Sequence, residues 1–343
     1  MAGRRRERVW WLALAAGVGL AVLAIEHGRP SLEPEPSQDG SGSAVPLAPA
    51  PAPRSRRIGH FVVDEVPGGW RAFTGDDGRR LVLSAPPRRV VSQSLGTDHI
   101  VFAICSHDRI AAVSKLATDP KYSQVTNEAR ALGRMVTDAL EHIVSFAPDL
   151  VLVASYSSAE LVAQLEGARV PIVRLDDFDS HAAIRDNIRL VGALLGEDAA
   201  AERVVADMDA RIERARARIP QGAAAPRVVS FEFGVVLGGK TTFDDAVRLA
   251  GGRNLPGEHG LDKWPSVSAE VVASWDPDVL VIGAEPGLEA ASIRAFLEKN
   301  PALATTRAGR AGRVVAIPLP LMTTVSHHFA QFVEAMVEGI HAR

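Results

Sequence analysis

The sequence predicts an α/β protein of two lobes bridged by a single long helix, with a ligand cleft between the lobes. Three observations carry this. Apolar, β-branched runs alternate with helical patterns in both halves of the 343 residues, the arrangement of a parallel sheet covered by helices on both faces. The segment "EHIVSFAPDLVLV", opening at Glu141, is written again as "EVVASWDPDVLVI", opening at Glu270, each with a Pro-Asp pair and a strand behind the Glu. Between the halves, in "EDAAAERVVADMDARIERARARIP", Val205, Met208, Ile212, Ala215 and Ile219 recur at helical spacing while Arg and Glu fill the other faces. A helix of about 20 residues is about 30 Å long. It would hold two similar lobes across a cleft and permit little hinge motion.

Taken in order, the chain opens with Arg4, Arg5, Arg6 and Arg8 ahead of an uncharged apolar run at 9–25 that begins with Trp10 and Trp11. Residues 1–27 are therefore expected to be a targeting segment, with its basic side cytoplasmic. The run sits at the short end of the roughly 17–25 residues that span a bilayer, and Val22, Leu23 and Ala24 offer a small-residue cleavage site. A cleaved signal peptide and a retained membrane anchor both stay open. Either places the remainder in the periplasm or another extracytoplasmic space. No cysteine follows the run closely, so no lipid tether is expected there. Residues 28–57, with "PSLEPEPSQDGSGSAVPLAPAPAP", have no apolar periodicity and read as a linker.

Folded structure is expected from residue 58. Residues 58–85 hold two short strands around Asp77-Gly78, a dipeptide suited to a hairpin turn. A first lobe, 86–180, has strands at 89–94, 109–114, 149–155 and 171–176, with helices at 97–103, around Glu141 and at 158–166. A bridging helical segment covers 181–221. The second lobe, 222–343, repeats the grammar with strands at 226–233, 278–284 and 313–319 and helices at 244–250, around Glu270, at 291–299 and at 328–342. Thr137 and Ser266, each four residues before the repeated Glu, are the expected N-caps.

Composition removes several function classes. A net charge of −3 with 23% charged residues gives no basic excess for nucleic acid. The single cysteine, Cys105, excludes a disulfide framework and a cysteine-rich metal centre. Ten histidines include the adjacent His327 and His328, but they form no i,i+4 pair or His-carboxylate cluster. No protein metal site is expected, although His327 follows the last strand and could approach the cleft, which keeps haem held through one axial His, and after it a bare zinc or manganese ion, as alternative ligands. "GVVLGGKT" at 234–241 satisfies the phosphate-loop pattern G-x-x-x-x-G-K-[ST], so a nucleotide phosphohydrolase is the alternative. Against it, Val235, Val236 and Leu237 crowd a loop that must expose N–H groups, and Asp244 and Asp245 put negative charge where an anion would sit. The competing reading is a glycine-rich cleft loop in a protein that is not an enzyme.

Four stretches together carry a family resemblance: "DDGRRLVLSAPPRRVVSQSLGTDHIVFAICSHDRIAAVS", "LEHIVSFAPDLVLVAS", "FDDAVRLAGGRNL" followed by "WPSVSAEVVASWDPDVLVI", and "GRVVAIP". From about Gly69 to its end the chain resembles the substrate-binding proteins of ABC importers for ferric siderophores, haem and cobalamin. Their two Rossmann-like lobes are joined by one long helix. The resemblance implies capture of a small metal chelate as cargo, with no resident cofactor, and delivery to a permease dimer and its ATPase subunits. A tethered sensing module on the same scaffold is a variant of that reading. Ligands of open α/β sheets sit at strand carboxyl ends. That rule selects Gln93, Ser94 and Leu95, Ser155, Tyr156 and Ser157, Asp177 and Phe178, Glu232 and Phe233, and Met322 and Thr323 as cleft residues. The resemblance adds Trp264 as a ligand-stacking aromatic. It also implies that Glu141 and Glu270, one per lobe, engage arginines on the two permease subunits.

Overall fold

A computed structural model describes residues 55–222 and 224–342. The expected targeting segment and the linker as far as residue 54 lie outside the described residues. The linker's expected end at 57 is too late, because the first strand, β1, already runs Ser55–Ile58. It opens a four-stranded antiparallel sheet with β2 (Phe61–Glu65), β3 (Arg71–Gly75) and β4 (Arg80–Leu83), in the order β1-β2-β3-β4. The sequence expected only the β3–β4 hairpin. β1 escapes a hydrophobic reading because three of its four residues are exposed. It is a charged edge strand, with Arg56 paired to Asp198.

The two expected parallel sheets follow. In the first lobe β5 (Val90–Ser92), β6 (Ile110–Ser114), β7 (Met135–Val136), β8 (Leu150–Ala154) and β9 (Ile172–Leu175) lie in the order β7-β6-β5-β8-β9, all parallel. β6 and β8 are buried throughout, which is why they read as unbroken apolar runs. In the second lobe β10 (Arg227–Glu232) pairs in parallel with β12 (Arg253–Asn254) and β13 (Val279–Ala284), and β13 pairs with β14 (Val314–Pro318). One antiparallel pair is added where β11 (Val235–Val236) folds back on the end of β10. β5 and β10, each flanked by neighbours running off in opposite directions, mark the points where an open sheet receives ligands.

The bridge is the helix Asp198–Arg216, with Ala201, Val205, Met208, Ile212 and Ala215 buried. Ile219 lies beyond its end. A second helix, His181–Leu195, precedes it and packs alongside; the expected 181–221 segment is thus two helices separated at Gly196 (φ 73°). The closing helix, Phe329–His341, lies on the bridge. Arg211 holds Glu334 in a bidentate pair at 3.0 and 2.7 Å.

The repeated segments occupy equivalent places. Each forms a short helix, Leu140–Ser145 or Ala269–Ser274, leading into β8 or β13. Before each proline stands a non-glycine residue in the left-handed region, Ala147 (φ 46°) and Asp276 (φ 49°). The aspartate after each proline ties down the start of the neighbouring strand. Asp149 accepts from the Arg89 N–H at 2.9 Å, and Asp278 from the Arg227 N–H at 3.0 Å. Those two arginines reach back to the carbonyls of Phe146 and Ala147, and of Trp275 and Asp276.

Candidate functional site

A cleft of about 1600 Å³ opens between the lobes, larger than the roughly 300–1,000 Å³ of pockets for drug-sized ligands. Every residue expected in the cleft except Asp177 lines it, among them Gln93, Ser94, Tyr156 and Phe178 from the first lobe, and Phe233, Trp264 and Met322 from the second. Glu232 lines it too. Asp177 does not; its backbone carbonyl accepts from Asn187 at 2.6 Å and its carboxylate from the Asp179 N–H at 3.0 Å, which closes a local turn.

In the first lobe, Ser94 stands at the end of β5 as the N-cap of the helix Leu95–Ile104, in a reciprocal capping box with Thr97. Its hydroxyl is therefore engaged by the fold, and a strand-end position alone could not reveal that. Gln93 donates to Asp138 at 2.6 Å, while its buried Oε1 has no hydrogen-bond partner. Tyr156 and Phe178 pack with ring centroids 5.4 Å apart, and burial raises the Tyr156 hydroxyl to about 12. It stays a neutral donor and acceptor.

In the second lobe, Phe233 is 66% exposed and sits in the left-handed region at φ 51°. A non-glycine residue there costs on the order of 1–3 kcal/mol, a strain that collects at functional sites. Trp264 is half-buried, with the Lys263 ammonium 5.9 Å from its ring centroid. Glu232 is mostly buried, its Oε1 accepting from the Gly283 N–H at 2.9 Å. Burial raises this carboxyl to about 7.

The cleft's charge is acidic. Asp119, Asp138, Asp176, Asp179 and Glu232 line it against Lys115, Arg130 and Lys263, and Lys263 is already paired with Asp179. Two ion pairs join the lobes beside it, Lys263 with Asp179 and Lys121 with Glu285 at 2.7 Å. Neither was legible from a single sequence, because pairing across 84 or more positions leaves no local pattern.

The phosphate-loop match does not fold into a phosphate cradle. The Val236, Gly238 and Gly239 N–H groups donate to the carbonyls of Pro265, Lys263 and Leu261, and Lys240 pairs with Asp262 at 2.5 Å. Gly238 is required by this pairing, since a Cβ there would meet the Leu261 carbonyl oxygen at 2.1 Å. The Thr241 hydroxyl donates to the Gly238 carbonyl and caps the helix Thr242–Leu249. The glycines serve a close strand approach.

His99 lines the cleft wall, and His327 and His328 gather behind it. The His327 and His328 rings are 4.1 Å apart, and those of His99 and His328 are 5.1 Å apart. Burial lowers the three to about 4, 2 and 3 for His327, His328 and His99. Among the described residues no group of three His, Cys, Asp or Glu is placed to hold a metal ion.

Glu141 and Glu270 lie away from the cleft lining, exposed on the first turns of their helices. The N-caps are Ala139 and Ser268, two residues later than expected. Thr137 instead engages His142, hydroxyl to Nδ1 at 3.1 Å, and Ser266 bridges to Val235. A local backbone N–H and, after it, the Ser268 hydroxyl hold the Glu270 carboxyl below its usual range.

Comparison with known proteins agrees with this architecture. A "Cobalamin-binding protein" of Halobacterium salinarum is 27% identical over 241 residues, 69% of this chain and 65% of that relative. The chain thus spans about two thirds of that relative's length. The "Uncharacterized ABC transporter substrate-binding lipoprotein YvrC" of Bacillus subtilis is 22% identical over 270 residues, 76% of this chain and 82% of the relative. Among solved structures, the apo form of the periplasmic haem-binding protein RhuT from Roseiflexus sp. RS-1 superposes with a TM-score of 0.62 at 27% identity, covering 74% of this chain and 99% of that one. Among the described residues no helix is long and apolar enough to cross a membrane. The family model described as "Periplasmic binding protein" matches residues 90–321, and the chain belongs to that family.

Proposed function

We propose that this protein is the extracytoplasmic substrate-binding component of an ABC importer, and that it captures a corrinoid-type metal chelate and delivers it to a permease dimer with its ATPase subunits. The observation that carries this reading is the character of the cleft, which is large, aromatic on both sides and acidic. Haem carries two carboxylates and ferric siderophores are commonly anionic. Of the five acids in the lining, Asp176 and Asp179 are ion-paired with Arg174 and Lys263 and Glu232 is raised to about 7, so the wall offers no free cationic cluster for a carboxylate-bearing chelate, whose desolvation would go uncompensated. The corrin of cobalamin carries amides around its edge, which the cleft's Ser, Thr, Gln and Tyr groups suit. The chelate is cargo, and no resident cofactor enters the reading. Tyr156, Phe178, Phe233, Trp264 and Met322 supply apolar contact, and Gln93 and Ser94 polar edges. Glu141 and Glu270 serve as the permease-docking pair. Relatives whose names record cobalamin binding and ABC transport support the reading.

Titration of the purified protein with cyanocobalamin, haemin and a ferric catecholate, followed by absorbance and calorimetry, tests it. The expected result is saturable corrinoid binding at micromolar concentration or below, with the anionic chelates weaker. Tight binding of haemin or the catecholate with none of cobalamin would replace the corrinoid assignment. ATP hydrolysis lost in Lys240→Ala would instead favour a phosphohydrolase, against the loop geometry.

A further inference from the structure

Glu232 is unlike the other acids of the cleft. It ends β10, immediately before the strained Phe233. One carboxyl oxygen is fixed by the Gly283 N–H. Among the described residues no other hydrogen bond or ion pair engages the side chain. Around it the wall is apolar. A Cβ on Gly283 would lie 2.4 Å from Leu319 Cδ2 and 3.4 Å from both Met322 Sδ and Glu232 Oε1, so these groups crowd one point at the carboxyl end of β13. No charged side chain of the cleft, Lys115 included, acts on the carboxyl. Lys263 is held by Asp179, Arg130 donates to the Thr118 carbonyl, and Lys121 and Glu285 hold each other. The Gly283 N–H alone opposes the burial that raises the group to about 7. A carboxyl desolvated in a ligand cleft without a counter-charge is costly to the fold, and such groups collect at functional sites.

We infer that Glu232 sets ligand specificity in the second lobe by pairing with a primary amide on the edge of the chelate and rejecting a carboxylate at the same place. This rests on the corrinoid reading and says which ligand group meets which residue. With Oε1 held by Gly283, Oε2 is the atom turned to a ligand. As an acid it donates to an amide carbonyl, and as a carboxylate it accepts from the amide N–H. An amide therefore suits both forms. A ligand carboxylate suits only the acid form, in which one proton is shared between two carboxyl groups. Above neutrality each further pH unit removes about tenfold of that acid form.

The test uses cyanocobalamin and its monocarboxylic acids, in which single side-chain amides are hydrolysed, with the full chain and its Glu232→Gln variant. Wild type should bind cyanocobalamin about equally at pH 6 and pH 8. One monocarboxylic isomer should bind about tenfold more weakly at pH 8 than at pH 6. Glu232→Gln keeps the acceptor for the Gly283 N–H, so it should melt near wild type, and its own cyanocobalamin affinity at each pH is the reference for its acids. In this variant the selected isomer should lose its extra pH 8 penalty. If wild type and Glu232→Gln discriminate amide from acid equally at both pH values, the inference is overturned while corrinoid binding stands. Absence of any cyanocobalamin binding by wild type overturns the corrinoid reading and this inference with it.

Discussion

Trp264 combines a half-buried ring with a place on the cleft wall, the combination that leaves an aromatic face for a flat ligand. Truncating such a contact typically costs about 2 kcal/mol or more, roughly thirtyfold in affinity. Trp264→Ala should weaken chelate binding by that order and barely move the melting temperature. Unchanged affinity in a titration would remove Trp264 from the contact set. The histidines bear on stability instead. Their unfolded imidazoles protonate near 6.5, but in the fold His327, His328 and His99 resist protonation down to about 4, 2 and 3. Between those values the unfolded chain binds more protons, so this cluster lowers stability as pH falls from about 6.5 towards 4. Arg211, itself paired with Glu334, acts in the same direction on His327 and His328, and Asp207 opposes it at His327. Asp98 and Glu232, both raised to about 7 by burial, act oppositely, lowering stability as pH rises from about 4 to 7. The variant carrying His327→Gln and His328→Gln should show a less positive slope of melting temperature against pH between 4.5 and 6.5 than wild type. Parallel slopes would count against the cluster's part in acid sensitivity.

At the scale of elements, the repeated helix, proline turn and strand put one exposed glutamate at the same point of each lobe. A two-fold permease presents two equivalent surfaces, and a single chain can meet both only by repeating an element. Glu141→Arg together with Glu270→Arg should abolish uptake and leave chelate affinity of the isolated protein unchanged, because neither residue lines the cleft. Normal uptake would leave the two acids with only the helix-dipole interaction, worth about 0.3–1 kcal/mol. The repeat was legible because its Pro-Asp pairs and strands are local. So were the bridging helix, through its buried stripe, and the cleft residues other than Asp177, through their places near strand ends, with Trp264 supplied by the family resemblance. β7, β11 and β12 were not, since two residues carry no periodicity and are strands only through their partners. The helix starts were misplaced for a related reason. Thr137 has a capping side chain, but it is taken up by His142, and the helix begins at an alanine cap that no propensity selects. Glu232 was visible as a strand end. Its isolation from every cation depends on where Lys263 and Lys121 find their acids, which only the folded chain decides.

For the whole molecule, the bridge packed between the helices His181–Leu195 and Phe329–His341 leaves little freedom for a large hinge motion. Ligand exchange should then be governed by small separations at the cleft rim, where Lys121–Glu285 and Lys263–Asp179 cross from lobe to lobe. Both are partly solvated, with side chains 30% and 50% exposed in the first pair and 41% and 35% in the second. Pairs of this kind are worth about 0.2–1 kcal/mol each and weaken with salt. Together they hold the rim by at most about 2 kcal/mol, which limits the gain in release rate to about thirtyfold on losing both. Glu285→Gln with Asp179→Asn should therefore speed chelate release several-fold in stopped-flow displacement, with a smaller effect on association. Raising salt from 0.05 to 0.5 M should speed release from wild type and change it little in the double variant, whose clasps are already gone. Equal release rates, equally insensitive to salt, would show that the rim pairs do not gate the cleft and would move control of release to the proposed permease contact through Glu141 and Glu270.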